Sequence, residues 1–247
     1  MAMTRAIEER DLALYLVDLG LNDCQIGRVM NVPRGTIRSW RHPRHVPKTP
    51  NRSCPICQRA DLNEPSYAYL LGLYLGDGCI SKHPRAYKLR INLDDRHHRV
   101  IAECCAAIDQ VRGQGLATPA GLTRRVGCVE VGSYWQHWPC VFPQHGSGPK
   151  HLREIVLTAW QRRIVDAHPD LLLRGLIHSD GCRVLNRVNG STYPRYQFTN
   201  HSLDIQGIFC DACERLKIAW TRSKWNTISV ARKDSVGKMD QFVGPKA

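Results

Sequence analysis

No stretch of this sequence reaches the roughly 18 apolar residues that a membrane-spanning helix needs. The opening MAMTRAIEERDL carries charges where a secretory leader has its apolar segment. The expectation is a soluble, cytoplasmic protein. Acidic residues are also in short supply: 22 Asp and Glu stand against 35 Lys and Arg, for a formal net charge of +13. Between Asn31 and Ala60 there is no acid at all, while Arg34, Arg38, Arg41, Arg44, Lys48, Arg52 and Arg59 supply positive charge. A stripe of that kind suits a polyanion, because each neutralised phosphate releases counterions; a solvated charged face is the plain alternative. Cysteine is plentiful at 11, an odd number, and with no leader a disulfide framework is not expected. Cys79, Cys104, Cys105, Cys128 and Cys182 sit in apolar runs and are expected as small buried hydrophobes. At 43% hydrophobic content, the 247 residues can bury one large core or two small ones.

The first sixty residues read as helices followed by a linker. Glu8 to Leu19 is predicted as an amphipathic helix with Leu12, Leu16 and Leu19 on its buried face, stopped by Gly20. Asp23 is placed as the cap of a short helix from Cys24 to Met30. Asn31 then tolerates a left-handed turn, and Pro33 suits the first turn of a helix running to about Arg41. Gly27, Val32, Ile37 and Trp40 fall where the helix-turn-helix family of resolvase-like and repressor-like DNA binders has its small and core positions, and the segment resembles that family. The resemblance implies that the second helix enters the major groove, with Arg34, Thr36, Arg38 and Arg41 facing DNA. The following HPRHVPKTPNRSCPIC is Pro-rich and basic, hence a linker. It also holds His42, His45, Cys54 and Cys57 as a candidate tetrahedral Zn2+ set, with two unmetallated thiols as the blander reading.

An internal repeat is the most informative feature. Residues 70–79 read LLGLYLGDGC and residues 173–182 read LRGLIHSDGC. Each copy is predicted as a helix, Tyr67 to Leu75 and Leu171 to Ile177, ending at Asp-Gly and passing into a strand. Gly72 with Gly76, and Gly175 with Ser179, put small residues one turn apart, so the two helix backbones can approach closely. That packing brings Asp77 and Asp180 together at helix C-termini, where the dipole disfavours an acid and the carboxylates repel. A divalent cation would resolve both penalties; a simple Asp-Gly turn is the alternative for either copy taken singly.

The paired motif resembles the LAGLIDADG homing endonuclease family in its double-motif form, over residues 64–245. The resemblance implies an α+β fold of two pseudo-symmetric αββαββα halves, here preceded by a small all-α helix-turn-helix domain. It implies hydrolysis of DNA phosphodiester bonds with Mg2+ held by Asp77 and Asp180, and a basic residue near each site, for which Lys224 and Arg125 are the candidates by position. The earlier acidic position of the motif is Leu75 in one copy and His178 in the other. The expected organisation is 1–45 helix-turn-helix, 46–63 linker, 64–145 first half and 146–247 second half. A monomer on double-stranded DNA, nucleoid-associated and reading an asymmetric target, follows from two unlike halves. The rival is a transcription regulator that keeps the scaffold without cleavage.

Within the halves, Tyr87–Leu93 alternates as a half-buried strand, Arg99–Ile108 reads as a helix and Arg124–Tyr134 as further strand. A helix over Leu152–Ala167 precedes the second motif. After it come strands over Cys182–Val188 and Tyr193–Thr199, a helix over Leu203–Leu216, and strands over Ile218–Trp225 and Thr227–Ala231. Cys210 and Cys213 are placed as buried helix cysteines. Lys88, Arg90, Arg124, Arg183, Arg187, Arg195, Arg222 and Lys224 are the candidate phosphate or base contacts.

Overall fold

The computed structural model describes residues 7–41, 54–58, 60–113, 119–188 and 190–246. His42, Arg44, His45, Lys48, Arg52 and Arg59 lie outside the described residues. The chain divides into two compact units, Met1–Asn51 and Arg52–Ala247.

In the first unit, α1 (Ile7–Asp18), α2 (Asp23–Met30) and α3 (Arg34–Arg41) surround Ala13, Ile26, Val32 and Ile37. The cap of α2 is Asn22, not Asp23. Its side chain accepts from the Cys24 and Gln25 amides at 3.0 Å each, and Gln25 returns a bond to the Asn22 amide. Asp23 instead pairs with Arg41 at 3.2 Å. Between α2 and α3, Asn31 takes the left-handed conformation at φ 52°. A Cβ on Gly27 would lie 2.7 Å from the Val32 carbonyl, so the turn folds back onto α2 only over a glycine. Of the expected face of α1, Leu16 packs inward, joined by Ala13 and Val17, whereas Leu12 and Leu19 are 50% and 58% exposed. Spacings of three and four from Ala13 define that stripe.

The second unit runs α4 (Glu64–Asp77), β1 (Gly78–Lys82), β2 (Tyr87–Asp94), α5 (His98–Arg112), β3 (Gly121–Arg125), β4 (Cys128–Trp135), α6 (Trp138–Val141), then α7 (Ala159–Ala167). It continues with α8 (Pro169–Asp180), β5 (Gly181–Val188), β6 (Ser191–Thr199), α9 (Leu203–Arg215), β7 (Thr221–Lys224), β8 (Thr227–Val230) and α10 (Lys233–Phe242). The fold is mixed α+β with two four-stranded antiparallel sheets, ordered β1-β2-β4-β3 and β5-β6-β8-β7. Either side of α7, the order αββαββα occurs once. The single strand expected over 124–134 is a hairpin turning at Gly127, which has φ +74°. The helix expected from Leu152 starts only at Ala159; a 3-10 turn at Lys150–Leu152 and an extended segment come first.

One continuous core fills the second unit. α4 lies at its centre: Tyr67 to Leu75 are all buried, which accounts for an apolar sequence with no polar face. Its start is capped by Asn63, whose side chain accepts from the Ser66 amide at 3.0 Å. α8 packs directly on it. A Cβ on Gly72 would meet the Leu172 carbonyl at 2.5 Å and the Gly175 Cα at 2.8 Å, and one on Gly175 would meet the Tyr69 carbonyl and the Gly72 Cα. The backbones therefore touch through the glycine faces. A second glycine pair ends the helices. Gly78 and Gly181 are extended, not left-handed, and a Cβ there would lie 2.5 Å from the Tyr74 Cα and 2.7 Å from the Ile177 Cα.

His178 explains one departure from the acidic pattern of the motif. It is buried with Nδ1 2.9 Å from the Tyr69 hydroxyl of α4 and Nε2 3.0 Å from the Val243 carbonyl. A neutral ring with its proton on Nε2 satisfies both. Beside it Arg174 of α8 bonds both oxygens of Glu103 on α5, at 2.6 and 2.8 Å, joining the halves.

Two outcomes follow for stability. Gly72→Ala should lower the unfolding free energy in urea by about 2–3 kcal/mol. Gly207→Ala on α9, where a Cβ meets nothing within 4 Å, should raise it by about 0.5–1 kcal/mol. Burial, with the Arg174 charge, pushes His178 down to about 4 from an ordinary 6.5. As pH falls through that window the unfolded chain takes up a proton that the folded chain refuses, so stability is lost, by about 1–3 kcal/mol in full. Unfolding free energy measured from pH 7 to 4.5 should therefore fall more steeply in wild type than in His178→Gln.

Candidate active site

The ends of α4 and α8 bring the two repeated aspartates to one place. The Asp180 carboxyl carbon lies 3.1 Å from where a Cβ on Gly76 would sit, against the helix turn that carries Asp77. Burial and then the charge of Asp180 push Asp77 up to about 6, against the pull of Lys150 and Lys246. Asp180 is also raised, by burial, although the Asn200 amide donates to its Oδ2 at 2.6 Å and the two lysines and His201 oppose the shift. Among the described residues neither carboxylate forms an ion pair within 4 Å. Two oxygen donors that have lost water and act on each other fit a hard divalent cation, and the donor set suits Mg2+.

Two lysines border the pair. Lys150 Nζ donates to the carbonyls of Tyr74, Leu75 and Gly76 at 2.5, 2.9 and 2.7 Å, on the last turn of α4, where the helix dipole is negative. Burial pulls it down to about 8, against the attraction of Asp180 and Asp77. Lys246 donates to the Gly181 carbonyl, at the end of α8, and is likewise lowered by burial. These cations, not Lys224 and Arg125, sit beside the acids. Lys224 is exposed on β7, and Arg125 on β3 bonds Glu130 at 3.2 Å. Sequence reasoning missed both lysines, although a signal existed: Gly148-Pro149-Lys150 and Gly244-Pro245-Lys246 repeat one tripeptide after α6 and after α10. Both glycines have positive φ, +78° and +68°.

Strand register sorts the basic residues predicted to touch a polyanion. On β2, Leu89, Ile91 and Leu93 are buried, so Lys88 and Arg90 project from the opposite face. Lys88 pairs with Glu130 at 2.6 Å and lies opposite Tyr134. Arg125 shares this face through its pairing with Cys128; Arg124 pairs with Val129 and points to the other. In the second sheet, Tyr196 and Phe198 mark the core face, so Arg195 projects outward, and Lys224, paired with Thr227, joins it. Arg183 pairs with Tyr196 and bonds Asp240 of α10 at 2.8 Å, and Arg222 pairs with Ile228 and bonds the Trp225 carbonyl at 2.9 Å. Arg124, Arg183, Arg187 and Arg222 are thus corrected to the helix-bearing side. In the first unit Arg34, Arg38 and Arg41 are exposed on α3, and Thr36 is half-buried.

The cysteines also depart from expectation. Cys79 and Cys182 are exposed and Cys105 and Cys128 half-buried; only Cys104 of that group is buried. Cys210 and Cys213 are buried on α9 as expected. Cys54 and Cys57 come together with His137 and Cys140, all four ligand atoms lying within 4.8 Å of one another.

No family model matches this chain, and no curated protein does. Solved structures similar to it include variants of the homing endonuclease I-DmoI, at 13% identity over 74% of this chain and 97% of that one, with a TM-score of 0.49. The homing endonuclease I-WcaI bound to its DNA recognition sequence is 14% identical over 76% and 84%, with a TM-score of 0.49. The N-terminal LAGLIDADG domain of DUF199/WhiA is 10% identical over 78% and 88%, with a TM-score of 0.44.

The raised value of Asp77 is a stability penalty, absent below the ordinary 3.8 and full above about 6. At pH 7.5 in a chelator, Asp77→Asn should therefore unfold about 1–3 kcal/mol higher than wild type. Adding millimolar Mg2+ should stabilise wild type and narrow the difference, as read by urea titration.

Proposed function

We propose that this protein binds a specific double-stranded DNA site as a monomer and hydrolyses its phosphodiester bonds with Mg2+, Asp77 and Asp180 each supplying a ligand. The observation that carries the reading is the meeting of the two repeated aspartates at the ends of abutting helices, each helix end bordered by the lysine of a Gly-Pro-Lys repeat. When bound, Mg2+ supplies charge neutralisation at a phosphate group and makes water more acidic. The chain does the rest. Asn200 holds the Asp180 carboxylate through Oδ2, fixing its orientation. Lys150 commits its three N–H donors to the last carbonyls of α4, and its charge draws a phosphate toward the acids. Lys246, lowered by burial, places a second positive charge at the end of α8. The outward faces of the sheets offer Lys88, Arg90 and Arg125 on one side and Arg195 and Lys224 on the other, with exposed Tyr134 and Tyr193 among them. These suit phosphate positioning and groove contacts. In the first unit the turn over Gly27 supports a helix-turn-helix reading, in which Arg34, Thr36 and Arg38 meet DNA while Arg41 is shared with Asp23.

A second reading has one observation in its favour. Lys150 and Lys246 give two cations for two carboxylates, a charge balance that needs no metal. A DNA-binding regulator that does not cut would use the same scaffold, and both readings are compatible with a nucleoid location.

Selection from a random duplex pool supplies the target, and cleavage of that duplex in Mg2+ separates the readings. Wild type should cut it, Asp77→Asn and Asp180→Asn should lose at least about 100-fold in rate yet bind as well, and Lys150→Met should lose about 10-fold or more. Affinity should drop steeply between 50 and 200 mM salt, by about 10³ for six phosphate contacts. Tight binding by wild type with no cut in Mg2+ would hand the case to the regulator.

A further inference from the structure

The geometry points to a structural Zn2+ site formed by Cys54, Cys57, His137 and Cys140, remote in sequence from both aspartates. Two short-spaced pairs meet across 80 residues. Cys54-Pro55-Ile56-Cys57 lies in a turn ahead of α4, and His137-Trp138-Pro139-Cys140 follows β4, with His137 at the N-cap of α6 and the other three in it. Each pair places ligands three residues apart, the spacing with which a turn presents two side chains to one ion.

Two of the ligand–ligand distances lie close to tetrahedral edges, and all four ligand atoms fall within 4.8 Å of one another. Bonds of about 2.0 Å to nitrogen and 2.3 Å to sulfur give edges of about 3.5–3.8 Å. Cys57 Sγ lies 3.3 Å and Cys140 Sγ 3.8 Å from His137 Nδ1. The outer contacts are those of a metal-binding turn. The Cys57 amide points at Cys54 Sγ at 3.4 Å, the Gln58 and Ala60 amides both donate to the Cys54 carbonyl, and Gln58 Oε1 accepts from the Cys54 amide. An N–H aimed at sulfur stabilises a thiolate. A ligand bond at Nδ1 leaves the His137 proton on Nε2; the Gln136 side-chain nitrogen lies 3.0 Å from that atom, and turning the amide over brings its oxygen there as the acceptor. Cys54 is fully buried and belongs to the core around α4, while Cys57 is exposed, so an ion has both an anchor and a way in.

Three sulfurs and one imidazole in a closed four-ligand set favour zinc, which prefers tetrahedral N/S donors and leaves no open position here for catalysis. All four residues are structural on this reading, and the ion ties the segment before α4 to the end of β4. Nothing in it depends on DNA cleavage.

The full chain, purified without chelator and dialysed, is assayed for metals by plasma mass spectrometry. About one equivalent of Zn2+ per chain is expected, retained in Cys24→Ser and lost in Cys57→Ser and Cys140→Ser, with a lower Tm in both. Replacement by Co2+ should give the visible bands of tetrahedral coordination and sulfur-to-cobalt charge transfer near 350 nm. Should either variant fail to fold, the Co2+ spectrum of wild type decides. Wild type without zinc and without that spectrum, iron in its place, or full zinc retained in Cys57→Ser and Cys140→Ser would each overturn the assignment.

Discussion

Everything in the larger unit depends on how closely two helix backbones approach. At Gly72 and Gly175 there is no room for even a methyl group between α4 and α8. Close packing sets the helices side by side, and their common ending at Asp-Gly then sets the carboxylates together. The sheets follow from the same contact, since β1 and β5 start at Gly78 and Gly181, where each chain folds back over the helix turn it has just left. The close approach is thus the origin of both the core and the electrostatics.

Those electrostatics are costly in isolation. Each acid sits at the negative end of a helix, short of water, and Asp77 also faces the charge of Asp180. The compensation is local. Lys150 binds three carbonyls of the last turn of α4, the atoms that carry the negative end of the dipole, and Lys246 binds the first carbonyl of β5. Neither lysine reaches an aspartate as an ion pair within 4 Å. Apart from the Asp180 Oδ2 that Asn200 holds, the carboxylate oxygens are not taken up by an ion pair among the described residues, as a cation site requires.

Much of this was legible because it is written in local patterns. The repeated Leu-x-Gly-Leu with Asp-Gly, the alternation of Tyr87–Leu93 and the helix of Leu203–Leu216 announce their elements, and the small residues one turn apart announce the helix contact. What escaped is what depends on chain return. Lys150 and Lys246 sit in turns with no periodicity, and their relation to the acids exists only after each half has folded back. The choice between Arg124 and Arg125 hangs on the two-residue turn between β3 and β4, which sets Arg124 opposite the buried Val129 and Arg125 opposite Cys128, and which the continuous basic-apolar run conceals. On α1, the leucines suggested a face of which only Leu16 packs on the core; the stripe is centred on Ala13, one residue on from Leu12. Cys54 and Cys57 pointed at histidines nearby in sequence, whereas their neighbours in space, His137 and Cys140, come from the chain after β4.

The all-round burial of α4 has a consequence for biosynthesis. Each sheet closes its own strand order, yet the central helix of the first half is covered on one side only by α8, which emerges from the ribosome long after β4 is complete. Until then the Gly72 face and the leucines beside it lie bare, a surface that a chaperone or a neighbouring nascent chain would find first. The order of synthesis therefore makes the second motif a folding partner for the first before it can share any chemistry with it, and a gene split between the halves would have to supply that partner from a separate chain.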